Sequence, residues 1–280
     1  MASTILRSAA LACLVQAGCT TAPALAPGSK YVAMGSSFAA GPGIPTYVDA
    51  TPAPCMRSDA NYAHQLARRK GLALVDVSCS GGATLHLIGP RNTIPPQLDA
   101  VDAATSLVTI TIGGNDVSYI GRLTAASCAG VALESGAAAA CNPIPPQPTE
   151  QMYADLAARM DHIAKEVRRR APLARLVFVD YLAVLPAAGT CLGAPLSAAE
   201  ADASREIARR LAAITAKAAT DNGAGILKAS DLSVGHDACS KDPWMYGYPR
   251  PEAPIAGTQY HPNAKGMTAI ADALEKLLGS

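Results

Sequence analysis

Apolar residues follow two rhythms along this chain. Residues 31–35, 73–78, 107–112 and 176–180 are short, continuous apolar runs, the pattern of strands buried on both faces. A weaker fifth run covers 225–228. Between the runs the spacing changes to three and four. Met152, Leu156, Met160, Ile163 and Val167 make one apolar helical face. Ser197 and Glu200 have capping-box spacing ahead of Ile207, Leu211 and Ile214. Asn263 is placed to cap a last helix carrying Met267, Ile270, Leu274 and Leu278. Such alternation predicts an α/β fold: a central parallel sheet of about five strands between two helical layers, a three-layer α/β/α sandwich. There is no sign of a repeat or of a second domain.

Two stretches break the alternation. Residues 39–58 are rich in Gly and Pro and contain Cys55. Residues 118–148 form an Ala-rich insertion with Cys128 and Cys141, ending in Pro143-Ile144-Pro145-Pro146. Both are expected to be long loops, and long loops in a compact domain usually serve function or are pinned covalently.

Composition narrows the class. Half of the 280 residues are hydrophobic but only 4% are aromatic, so the core must be built mainly from aliphatic side chains. The formal net charge is +1, and Arg168-Arg169-Arg170 reads as the solvated C-terminal end of a helix. This argues against nucleic acid as a partner. Arg7 followed by the apolar residues 9–15 has the form of an export leader, too short to span a bilayer. Ala24-Leu25-Ala26 fits ordinary signal cleavage, giving a leader 1–26 and a domain 27–280. Gln16-Ala17-Gly18-Cys19 competes with it as a lipobox-like sequence, which would anchor the protein to a membrane through a lipidated Cys19. Either way the protein is expected to be secreted or held at the cell surface, as a monomer. Six of the eight cysteines (Cys55, Cys79, Cys128, Cys141, Cys191 and Cys239) fall in the domain, an even set suited to three disulfides in an oxidising compartment. No C-x-x-C pair or ligand-like His spacing supports a zinc site.

Three separated segments carry the candidate chemistry: Gly35-Ser36-Ser37-Phe38, Gly113-Gly114-Asn115-Asp116 and His261-Pro262-Asn263. The first two end predicted strands and the third precedes a predicted helix. In open α/β sheets, ligands bind beyond the carboxyl ends of strands. A serine, an amide donor and an imidazole brought together there supply the nucleophile, oxyanion donor and base of an acyl-transfer enzyme. Singly, each segment reads as a turn or cap; the ordered set is far more specific. No G-x-S-x-G elbow surrounds any serine.

These segments resemble the conserved blocks of SGNH hydrolases, the GDSL esterase/lipase family, and in particular its secreted, disulfide-bonded actinobacterial esterases. The resemblance covers nearly the whole domain and implies a flavodoxin-like strand order and ester hydrolysis without a cofactor. It implies that Ser37 is the nucleophile, with Ser36 standing where the family name has Asp. In Cys79-Ser80-Gly81-Gly82-Ala83-Thr84 it points to Gly82, or alternatively Gly81, as an oxyanion N–H donor. Asn115 becomes the side-chain donor and His261 the base. Many relatives carry Asp three residues before the histidine, but here that residue is Thr258. Its main-chain carbonyl is therefore expected to orient His261 in a Ser-His dyad, with Asp237 and Asp242 as weaker rivals and His236 as a weaker rival base. The resemblance also implies the sequential pairs Cys55–Cys79, Cys128–Cys141 and Cys191–Cys239. The expected substrate is a small-molecule or lipid acyl ester. A carbohydrate O-acetylesterase and a non-catalytic surface binding module are the alternatives.

Overall fold

Strand β1 (Lys30–Gly35) is an interior strand of the sheet, with all but its first residue buried. The computed structural model describes residues 24–48, 52–136, 141–250 and 252–279. Arg7, Cys13, Cys19 and the rest of residues 1–23 lie outside the described residues. After β1 the chain runs through α1 (Ser37–Ala40), a 3-10 turn at Ala53–Cys55, α2 (Tyr62–Lys70), β2 (Ala73–Asp76) and α3 (Leu85–Ile88). A 3-10 turn at Gln97–Ala100 precedes β3 (Thr105–Thr111), α4 (Tyr119–Ser135), α5 (Glu150–Arg170) and β4 (Arg175–Val179). The remainder is α6 (Ala198–Asp221), β5 (Gly225–Leu227), α7 (Ala229–Leu232) and α8 (Ala264–Leu278).

The five strands form one all-parallel sheet in the order β2-β1-β3-β4-β5. Its register is set by pairs such as Val32↔Val108 and Val108↔Leu176. Right-handed crossovers put helices on opposite faces when the strand order reverses direction. The chain steps from β1 to β2 one way and from β3 through β5 the other. Accordingly α2 packs with α8, and α5 packs with α6. The reversal opens a crevice beyond the carboxyl ends of β1 and β3, where ligands bind in sheets of this kind.

The predicted caps form: Ser197 Oγ accepts the Glu200 N–H at 3.2 Å, and Asn263 Oδ1 accepts the Gly266 N–H at 3.1 Å. The carboxylate of Glu200 does not complete a capping box. It pairs instead with buried Arg122 of α4 at 2.7 Å. All three disulfides pair sequentially, as expected.

Two expectations need correction. The run at 73–78 is not buried on both faces: β2 is an edge strand whose residues are exposed or half-buried. The stretch 118–148 is not simply a loop, because the 17-residue helix α4 fills more than half of it. A helix covered on several sides needs no single apolar stripe. Tyr119, Arg122, Leu123, Ala125, Ala126 and Ser127 are all buried, so the periodic signal is blurred.

Candidate active site

The end of β1 is built to turn sharply. Gly35 has φ 144°, and a Cβ there would lie 2.3 Å from the Thr111 carbonyl oxygen of β3. Only glycine fits so close an approach. Buried Gln97 secures both backbone groups of Gly35: its Oε1 accepts the Gly35 N–H at 2.7 Å, and its Nε2 donates to the Gly35 carbonyl at 2.9 Å. Next, Ser36 Oγ shares a hydrogen bond with Tyr181 Oη at 3.1 Å, and Tyr181 Oη accepts the Gly114 N–H at 2.9 Å. Burial pushes the Tyr181 phenol up to about 12, so it stays neutral. Through this hydroxyl the β1 and β3 ends hold a fixed spacing.

Ser37 is the first residue of α1 and is 8% exposed. Its N–H has no intrahelical acceptor, as at the start of any helix. Ser37 Oγ lies 2.8 Å from His261 Nε2. Phe38 packs beside the imidazole and against Tyr181, with ring centroids 5.3 and 4.4 Å away.

His261 sits between Tyr260, which has φ 56° and is fully buried, and Pro262. Tyr260 Oη and Ser127 Oγ share a hydrogen bond of 2.5 Å, fixing this loop to α4. Backbone bonds from Tyr246 N–H to His261 O and from Tyr260 N–H to Tyr246 O fix its other side. The orienting acceptor differs from the expected one. The Thr258 carbonyl accepts the His261 backbone N–H at 3.2 Å, while the imidazole Nδ1 lies 2.8 Å from the Gln259 carbonyl. A turn has used the Thr258 oxygen, so the next carbonyl takes the ring. With Nδ1–H donating to Gln259, Nε2 presents its lone pair to Ser37. Burial pulls the imidazole down to about 4, against a smaller upward effect of the Gln259 bond.

Neither rival carboxylate touches this ring. Asp237 Oδ1 accepts the Cys239 N–H, and Asp242 pairs with Lys265 and faces His236. His236 stacks on Trp244 at a centroid distance of 3.9 Å.

The donor loop is also shifted from the first expectation. Gly82 N–H is taken by the Cys79 carbonyl at 2.9 Å, and Gly82 is buried. Gly81 has φ 76°, lines the cavity in front of Ser37, and its N–H has no partner among the described residues. Gly81, the alternative, is therefore the better-placed donor. Gly82 acts through its carbonyl, which accepts Asn115 Nδ2–H at 2.7 Å and so fixes the amide. Asn115 is exposed to the cavity and keeps a second N–H.

A cavity of about 600 Å³ opens over these groups. Ile120, Gly121, Thr124, Ala125 and Cys128, from one face of α4, line part of it. The Cys128–Cys141 bridge, Pro143, Pro145 and Tyr248 extend that wall. Arg122 braces it, donating to the Pro145 carbonyl as well as to Glu200.

Residues 33–269 match the GDSL-like lipase/acylhydrolase family. The chain belongs to that family. This GDSL-like hydrolase is 35% identical over 279 residues to Lipase 2 of Streptomyces coelicolor, covering 95% of this chain and 92% of that protein. Its structure is similar to that of phospholipase A1 from Streptomyces albidoflavus NA297, with TM-score 0.70 and 26% identity over 88% of this chain and 98% of that one. An extracellular lipase from Streptomyces rimosus gives TM-score 0.68 and 27% identity over the same shares. The chain is accordingly an ester hydrolase of the SGNH fold.

The hydrolase also uses groups that the sequence did not single out. Asp116 accepts from Thr84 N–H at 3.0 Å and Thr84 Oγ1 at 2.5 Å, tying the Gly81 loop to the Asn115 loop. Arg159 of α5 closes the network, donating to Thr84 Oγ1 at 2.7 Å. Asp116 had a signal, the acid directly after Asn115; Gln97, Tyr181 and Arg159 had none. Among the described residues, no cluster of three or more His, Cys, Asp or Glu is arranged to hold a metal.

Proposed function

We propose that the protein is an exported serine esterase or lipase that cleaves acyl esters through an acyl-enzyme, using a Ser37–His261 dyad. The observation that carries this reading is the 2.8 Å contact between Ser37 Oγ and His261 Nε2 at the floor of an apolar cavity. His261 Nε2 removes the Ser37 hydroxyl proton as Oγ attacks the ester carbonyl carbon. Negative charge then develops on the carbonyl oxygen, where Ser37 N–H, Gly81 N–H and Asn115 Nδ2–H donate to it. Collapse expels the alcohol, which leaves with the proton held on Nε2. A water molecule, deprotonated by the same nitrogen, attacks the acyl-enzyme and restores Ser37. The Gln259 carbonyl holds Nδ1–H throughout and partly stabilises the imidazolium, in the place a triad gives to a carboxylate.

The α4 wall favours an acyl chain over a sugar. From Ile120 to Cys128 it spans about 12 Å at 1.5 Å per residue, and its lining is mostly apolar. Lipase 2 and the two Streptomyces structures support the same substrate class. Export is supported by the three disulfides. The test is fluorophosphonate labelling followed by peptide mapping, then hydrolysis of an acyl-ester series beside acetylated sugars. The label should fall on Ser37, be lost in Ser37→Ala, and remain in Ser36→Ala. A label that survives Ser37→Ala overturns the nucleophile, and a preference for acetylated sugars overturns the acyl-chain reading.

A further inference from the structure

Helix α4 contains two glycines, Gly121 and Gly130, and the fold requires only one of them. Gly130 has a packing reason: a Cβ there would lie 2.0 Å from the Pro195 carbonyl oxygen. Gly121 has no such reason. Its backbone is helical and outside the left-handed region, so alanine would adopt it freely. A Cβ built on it meets nothing within 4 Å beyond its own helix backbone and its two chain neighbours. A glycine at such a position gives up stability, because alanine would restrict the unfolded chain without straining the folded one. The space in front of Gly121 is the cavity it shares with Ser37, Asn115 and His261.

The place of Gly121 along that wall is well defined. It is the third residue of α4, and the start of the helix is tied to the Asn115 loop. Tyr119 N–H donates to the Gly114 carbonyl at 2.8 Å, and Ser118 N–H to the Asn115 carbonyl at 3.3 Å. On its other side, buried Arg122 is held by the Pro145 carbonyl and Glu200. The backbone of Gly121 is therefore fixed on both sides, and a larger side chain there projects into the cavity. Thr124 and Cys128 line the cavity further on, with Cys128 about 10 Å beyond Gly121 at 1.5 Å per residue. A chain that leaves a carbonyl held at Asn115 and lies along α4 passes Gly121 before it reaches Thr124 and Cys128.

We propose that Gly121 determines the acyl-chain length this hydrolase accepts, its missing side chain being the gap through which the chain reaches the rest of the α4 wall. The inference rests on the ester-hydrolase reading of Ser37 and His261. To that reading it adds the residue that gauges the acyl group. Each methylene buried on an apolar wall is worth about fourfold in kcat/KM. A side chain that closes the gap should remove those contributions from long chains and spare the shortest.

The test measures kcat/KM for p-nitrophenyl acetate, butyrate and octanoate, each below its aggregation concentration, with the wild type, Gly121→Ala and Gly121→Leu. The octanoate-to-acetate ratio should fall by about 2- to 5-fold in Gly121→Ala and about 10- to 100-fold in Gly121→Leu, the latter equivalent to two or three lost methylene contacts. Butyrate should lose less than octanoate. Thermal melting of Gly121→Ala should rise by about 1–4 °C, whereas Gly130→Ala should lower it. In a second series the acyl group stays acetyl and the alcohol grows from ethyl to hexyl; Gly121→Leu should leave that ratio unchanged. An unchanged octanoate-to-acetate ratio in folded variants, or equal losses on all three acyl esters, overturns the proposal. A loss that follows the alcohol instead puts Gly121 on the other side of the ester and also overturns it. So does a lower melting temperature in Gly121→Ala, which would show that the fold itself needs the glycine. Gly121→Ala carries the test by itself if Gly121→Leu does not fold. A wild type confined to the acetate refutes this proposal; one that cleaves no ester refutes the function beneath it.

Discussion

Ser37 and His261 reach one 2.8 Å contact from two different kinds of structure. Ser37 stands on a sheet end where the neighbouring polar groups are satisfied by buried partners from distant parts of the chain: Gln97 for Gly35, Thr111 for the Ser36 N–H, Tyr181 for the Ser36 hydroxyl. His261 stands on a loop before α8, held by short backbone turns, the Tyr260–Ser127 bond and the Cys191–Cys239 bridge upstream. Ser37 is thus placed by the folding of the core, and His261 by a loop laid across it. Damage to the first support should register in stability, whereas damage to the second should register mainly in turnover.

The largest expected effect is the loss of either partner in the contact itself. Ser37→Ala and His261→Ala should each lower kcat/KM by at least about three orders of magnitude, with thermal melting little changed. A variant that loses activity only by unfolding would break the comparison on the side of the chemistry. Asn115→Ala should come next, at about 100- to 1,000-fold in kcat, the usual scale for one oxyanion donor. Steady-state kinetics should show that loss in kcat rather than KM.

Smaller effects separate the two supports. Gln97→Ala leaves the Gly35 N–H buried and unpaired, while the Gly35 carbonyl still accepts the Cys79 N–H, so urea unfolding should show a loss of about 1–3 kcal/mol. Activity per folded molecule should fall only in so far as Ser37 moves. Replacing Cys191 and Cys239 together by Ser removes a bridge across 48 residues and should cost about 2–4 kcal/mol. Because that bridge borders the base's loop, kcat should fall as well, measured on the protein still folded. If Gln97→Ala changed kcat alone and the bridge changed stability alone, the assignment of core and loop roles would be reversed.

Most of the fold was legible because the β1, β3 and β4 runs are continuous and the α5, α6 and α8 faces are regular. The α4 helix was not, since its Ala-rich sequence presents buried side chains in several directions. That Ser37, Asn115 and His261 would meet at one cavity was legible because side-chain chemistry marks them. At two positions the geometry favours the neighbouring residue, Gly81 beside Gly82 and Gln259 beside Thr258, and for a shared reason. The proposed oxyanion donor and the carbonyl facing Nδ1 are backbone groups, and side-chain patterns do not record which N–H or C=O a turn has already used. The Gly81 and Gln259 groups are those the turns leave over. Gln97 and Tyr181 reach the Gly35-Ser36 turn across 62 and 145 residues of sequence, where no local pattern can register.

The pH dependence of kcat/KM tests the carboxylate-free dyad most directly. His261 must be neutral to accept the Ser37 proton. Burial lowers its folded-state value from 6.5 to about 4, so the unfolded chain binds the proton more readily between those values. This group's contribution to stability therefore rises with pH across that window, carries no penalty above it, and becomes unfavourable as pH falls toward 4. Activity should follow the same ionisation, with a single acid limb near 4 that Asp237→Asn and Asp242→Asn leave in place. An acid limb at or above 6.5, shifted down by either Asn variant, would reveal a carboxylate acting on the imidazole and contradict the dyad.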